Sequence, residues 1–117
     1  MLTKEKIKQI QKIANWRKCH NTEEGFFGML WQLESLIDRS KQNHLQWVDF
    51  YLHPSQKQLV KNAYTKVNFI QNSVSKNFES IAGIKIHFTS NVPQNNGIMI
   101  NSNIPLSKRS VIICLFQ

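Results

Sequence analysis

The sequence predicts an α+β fold: N-terminal helices followed by a small, mainly C-terminal β-sheet. Three observations point there. Apolar residues recur at three- and four-residue spacing within residues 7–14 and again within 26–37. At Gly83 the period changes to two, with Ile84, Ile86 and Phe88 alternating with Lys85 and His87. Residues 110–116 are apolar almost throughout, which suits the middle of a sheet or contact with a partner.

Taken in order, Thr3 is placed to cap a first helix over residues 3–18. Its stripe is Ile7, Ile10, Ile13 and Ala14, continued by Trp16 or Arg17 and broken at Cys19-His20-Asn21. A second helix starts near Thr22, where Glu23 and Glu24 suit the positive end of the dipole. It carries Phe26, Phe27, Met29, Leu30, Leu33, Leu36 and Ile37 on one broad face and ends within residues 39–43. Residues 45–52 are aromatic and β-branched and read as a buried strand. Pro54 then opens a third helix that ends within residues 65–68. The mix of Asn, Ser, Phe and Val after it is weak for helix, so an irregular or helical piece is expected there. Three strands complete the chain, over residues 84–88, 97–101 and 110–116.

A chain of 117 residues holds one domain. The expected division is a basic N-terminal helix over residues 1–21 and a single α+β domain over 22–117. A hydrophobic share of 41% supports a real core, unlike a disordered basic tail. No apolar run reaches the ~20 residues of a membrane-spanning helix. Residues 1–6 are charged and carry no apolar signal region. Two cysteines, Cys19 and Cys114, make neither a disulfide framework nor a metal spacing, and a reducing, intracellular setting is expected.

The net charge of +8 is unevenly placed. Residues 1–20 carry net +5, residues 21–55 net −3, and residues 56–117 net +6. Lys4, Lys8, Lys12, Arg17, Lys18, Lys108 and Arg109 are candidate nucleic-acid contacts. Solvated helix faces kept soluble by lysine account for the same residues.

Catalytic patterns are sparse. Cys19 and His20 are neighbours, and adjacent side chains on a helix point apart, so a helix-end cysteine is expected rather than a nucleophile. His87-Phe88-Thr89-Ser90 resembles one half of a two-histidine phosphoesterase signature whose second half is missing. His44 and His53 lack a metal-ligand spacing. Asp49, a carboxylate within an apolar strand, is expected to pair with a lysine or a backbone group. The four glycines form no phosphate loop. No enzyme, catalytic residue, cofactor, metal or small-molecule substrate is expected.

Several pieces nevertheless stand in a telling order. Thr22-Glu23-Glu24-Gly25-Phe26-Phe27 leads to Leu33, Leu36 and Ile37. Trp47-Val48-Asp49-Phe50-Tyr51-Leu52-His53-Pro54-Ser55-Gln56 runs into Leu59 and Val60. Ile81-Ala82-Gly83-Ile84-Lys85-Ile86-His87-Phe88-Thr89-Ser90-Asn91-Val92-Pro93 precedes Gly97-Ile98-Met99-Ile100. This order resembles the axial domain of tailed-phage major capsid proteins and their encapsulin relatives, over roughly residues 22–117. The family's N-terminal arm, hairpin extension and spine helix precede that region, whereas only residues 1–21 do so here. The resemblance implies a phage or phage-satellite protein of the host cytoplasm or virion. It would join, cap or disturb a capsid lattice by protein–protein contacts, with a capsid protein or copies of itself as partner.

Trp16, Phe26, Phe27, Trp31 and Trp47 are then candidates for an interface as well as for the core. The alternatives are a small basic nucleic-acid-binding protein making non-specific DNA or RNA contact, and a phage-encoded inhibitor of a host factor.

Overall fold

The computed structural model describes residues 2–22, 24–25, 49–65, 80–81, 84–101 and 104–117. Helix α1 spans Lys4–Ile13. The Thr3 hydroxyl accepts from the Lys6 amide at 3.2 Å, satisfying one of the amides left without a partner at a helix start. Glu5 in the first turn and Lys12 in the last both suit the helix dipole. Ile7 and Ile10 are buried, as their spacing predicts.

The helix then stops five residues short of expectation. Ala14 turns extended while its amide still bonds to the Ile10 carbonyl at 2.9 Å. Asn15–Cys19 forms strand β1 rather than more helix, which corrects the reading of residues 3–18. The reason is tertiary. β1 lies parallel to strand β6, Val111–Phe116, with Asn15 opposite Ile112 and Cys19 opposite Phe116. Six apolar residues offer a better partner than a frayed helical turn containing Asn15 and β-favouring Trp16.

Strand β2, Asp49–Leu52, is followed by a single 3-10 turn at Pro54–Gln56 and by helix α2, Lys57–Thr65. Pro54 thus opens the helical segment as expected. Strands β3, Ser80–Ile81, β4, Ile84–Phe88, and β5, Asn96–Ile100, complete the set. The short β3 replaces the irregular or helical end expected at residues 80–81. Of the second helix expected from near Thr22, residues 24–25 are helical, with the Gly25 amide donating to the Thr22 hydroxyl at 3.0 Å; its remainder from residue 26, the first part of the strand at 45–48, and the stretch at 66–79 lie outside the described residues.

The six strands lie in the order β1-β6-β5-β2-β4-β3. β1 with β6 and β2 with β4 are parallel pairs, and the other neighbours are antiparallel. The fold is α+β, but the arrangement of helices first and sheet last is corrected. The N-terminal segment supplies an edge strand, and α2 is inserted between β2 and β3.

Alternation divides the sheet into two buried faces. On one, Ile98, Val111 and Ile113 form a core with Leu2, Ile7, Ile10, Ala14 and Val92, bordered by Tyr51, Ile100 and Leu106. On the other lie Phe50, Leu52, Met99, Ile112, Cys114 and Phe116, all buried. Gly97 belongs to this second face, where a Cβ would come within 2.7 Å of the Phe50 ring. α2 begins over the same face: the Lys57 ammonium stands 5.8 Å from the centroid of the Phe88 ring, a cation–π contact. The apolar final strand is thus interior to the sheet and buried along nearly all its length.

Candidate functional site

β1 is the outermost strand on its side of the described sheet. Four of its five residues are exposed. Trp16 is 49% exposed, and its indole N–H donates to the Gln11 carbonyl at 3.3 Å. That bond holds the ring beside the end of α1. The Asn15 side-chain amide donates to the Lys108 carbonyl at 3.0 Å, which brings the loop before β6 against the start of β1.

Each of Lys4, Lys8, Lys12, Arg17, Lys18, Lys108 and Arg109 is exposed. Lys4, Lys8 and Lys12 recur every four residues and make one row on α1. Lys12 ends α1 next to the Gln11 carbonyl that Trp16 bonds, Lys18 shares the Trp16 face of β1, and Lys108 and Arg109 lie in the adjoining loop, whereas Arg17 belongs to the opposite face of the strand. Among the described residues no ion pair neutralises these cations. Of the candidate interface aromatics, Trp16 is therefore at the surface, while Phe26, Phe27, Trp31 and Trp47 lie outside the described residues.

A second cluster was not legible as a unit in the sequence. The parallel register sets Tyr51 opposite His87 and Asp49 opposite Lys85. His87 Nε2 lies 2.8 Å from Asp49 Oδ1, and the imidazole stacks on the Tyr51 ring at 4.6 Å between centroids. The expected partner of Asp49 was a lysine or a backbone group, and here it is a histidine. The His87 side chain is 39% exposed and that of Asp49 16%. Burial, aided by the Asp49 carboxylate, pushes the Tyr51 hydroxyl above its usual pKa of 10.0. Such a trio can hold an oriented imidazole, the first requirement of acid–base chemistry.

His53 is engaged elsewhere. Its Nδ1 accepts from the Ser55 amide at 3.1 Å and lies 2.8 Å from the Ser55 hydroxyl, so the ring caps the turn that opens α2. Among the described residues no three metal-binding side chains come together. A cleft of about 200 Å³ lies between Lys6, Ile100, Asn101, Ile104, Leu106 and Ser110. It is smaller than the ~300 Å³ at which sites for drug-sized ligands begin. No helix of the described residues is long and apolar enough to cross a membrane.

The third cluster lies at the far end of β1. Arg17 is opposite Cys114, and Cys19, two residues on, shares its face of the sheet. Cys19 is therefore a strand residue and not the helix-end cysteine expected. The neighbouring Cys114 thiol lowers the Cys19 pKa to about 7, against burial and with help from Arg17. Cys114 moves the other way, well above 9.0, through the neighbouring Cys19 thiol and its own burial.

No family model, curated protein or solved structure is matched by this chain.

Proposed function

We propose that this chain is a non-enzymatic phage or phage-satellite protein related to the major capsid protein, and that it acts by protein–protein contacts with a capsid lattice. Two features support the reading. The ordered motifs from Thr22 to Ile100 resemble the axial domain of that family. The observation that carries it is Trp16, 49% exposed on the outermost strand of the described sheet. A large exposed aromatic on such a strand suits a contact surface.

Co-sedimentation of the purified protein with procapsids tests the proposal, as does capsid size on co-expression with a coat protein. Binding that is lost in Trp16→Ala, with the fold retained by circular dichroism, is the expected result. No association in either assay removes the reading. Light scattering separates modes of action: a monomer fits a protein that caps a lattice, and a ring fits one that joins it.

A second reading has its own observation. Trp16 shares its face of β1 with Lys18, bonds to the helix end that carries Lys12, and adjoins the loop that carries Lys108 and Arg109, all exposed. An indole face amid cations is the pattern of a stacking platform for single-stranded nucleic acid. Binding of this kind weakens steeply with salt, whereas a strand-addition contact depends on it less. Charge reversal at Lys108 and Arg109 flattens that salt slope if nucleic acid is the ligand.

A further inference from the structure

Two thiols meet on the second face of the sheet, and neither function proposed above uses them. The register puts Cys114 opposite Arg17, so Cys19 is its diagonal neighbour across the β1–β6 pair. Both side chains lie on the same face of the sheet. Cys114 is 2% exposed on an interior strand, whereas Cys19 is only half-buried on the edge. Arg17 has its Cα two residues from Cys19 on the same side of the strand, where its cation favours a thiolate. One sulfur is thus reachable and lies beside a cation, and the other is buried one diagonal away on the neighbouring strand.

We infer that Cys19 and Cys114 form a peroxide-reactive thiol pair, with Cys19 the attacking sulfur and Cys114 the resolving one. In the first step the Cys19 thiolate attacks one oxygen of hydrogen peroxide. A sulfur–oxygen bond forms, the oxygen–oxygen bond breaks, and hydroxide leaves to become water. Cys19 is then a sulfenic acid. In the second step the Cys114 sulfur attacks the Cys19 sulfur. A disulfide forms, the sulfur–oxygen bond breaks, and the departing hydroxide takes the Cys114 proton as a second water. The two thiols have given up two electrons and two protons, and one peroxide has become two waters.

The diagonal placement sets the character of the product. Cys114 is opposite Arg17 and not Cys19, so the two cysteines are offset from the direct pairing that best suits a Cα separation of ~5.5–6 Å across a disulfide. β1 has one strand partner in the described sheet, and closing the bond asks it to shift along β6. The bond so formed is strained and readily reduced, as in disulfides that cycle rather than persist.

The experiment treats the full chain, folded and reduced, with stoichiometric hydrogen peroxide, and reads free thiols, intact mass and a peptide map. The expected result is loss of both thiols, loss of two hydrogen atoms and a Cys19–Cys114 linked peptide within one chain. Dithiothreitol restores both thiols. In C114S the reaction stops at a Cys19 sulfenic acid that dimedone captures, whereas in C19S the thiol of Cys114 survives the same treatment. Retention of both thiols in the wild type overturns the inference, as does a disulfide only between chains. Equal oxidation of Cys114 with and without Cys19 overturns the assigned order of attack. If C114S does not fold, the wild-type peptide map alone decides whether the pair closes.

Discussion

Asp49 and His87 are joined across two parallel strands, carboxylate oxygen to imidazole nitrogen at 2.8 Å, with Tyr51 stacked on the same imidazole. The two residues are 38 positions apart, and only the β2–β4 pairing brings them together. A partly buried pair of this kind stabilises a sheet only if its members are coupled. A double-mutant cycle with Asp49→Ala and His87→Ala is expected to give a coupling of about 0.5–1.5 kcal/mol by urea denaturation. Additive single losses would mean that the bond contributes nothing beyond each side chain's own packing.

Tyr51 gives this cluster a pH signature. Its folded pKa is raised, so the folded protein holds the phenolic proton longer than the unfolded chain. The associated stability is fully present below the unfolded value of 10.0 and is lost as pH rises through the higher folded one. Urea midpoints measured from neutral pH upward should fall in the alkaline range. Tyr51→Phe should fall less steeply there.

The thiol at the edge should show itself to alkylating reagents. Cys19 is held near pKa 7, so its reaction with iodoacetamide is expected to reach half its plateau close to neutral pH. Cys114 should stay unmodified in the folded protein, because burial and the neighbouring Cys19 thiol keep it protonated. In C114A the thiol that lowers the Cys19 pKa is gone, and the Cys19 midpoint should move to higher pH.

Gly97 tests how tightly the second face is filled. The Cβ of an alanine there would meet the Phe50 ring at 2.7 Å and Leu52 at 3.0 Å, and both side chains are essentially fully buried. Gly97→Ala is expected to cost about 1–3 kcal/mol through overpacking. Thermal denaturation followed by circular dichroism measures it.

The cap of α1 is a milder case. Thr3→Ala removes the hydroxyl that accepts from Lys6 and should cost about 1 kcal/mol, whereas Thr3→Asp should restore most of it.

Sequence alone revealed those elements that follow from local periodicity. The alternation of Ile84, Ile86 and Phe88 marked β4, the unbroken apolar run marked β6 as interior, and Pro54 marked the start of the second helical segment. Thr3 and the Ile7–Ile10 spacing located α1. Its end was missed because the rival structure for residues 15–19 is a partner 97 positions away, Asn15 against Ile112, which no local pattern announces. The same holds for the sites. Asp49 stood out as a carboxylate in an apolar strand, and His87 as a polar residue in an alternating one, but their union depends on register. Cys19 and Cys114 were read as separate thiols because helix was assumed for the first. The exposed basic residues were legible, since charge at the surface needs no partner.

The pairing of β1 with β6 also orders events in time. A ribosome makes β1 long before β6, so β1 lacks its parallel partner until the intervening chain and β6 have emerged. Until then α1 can form, but Ile98 and Ile113, against which its apolar side chains close, are still absent. Completion of this sheet therefore waits on the closure of one very long loop, and it should be slow for a sheet of this size. In that interval the nascent edge around Trp16 is open to chaperones or to a neighbouring chain, well before the finished surface exists.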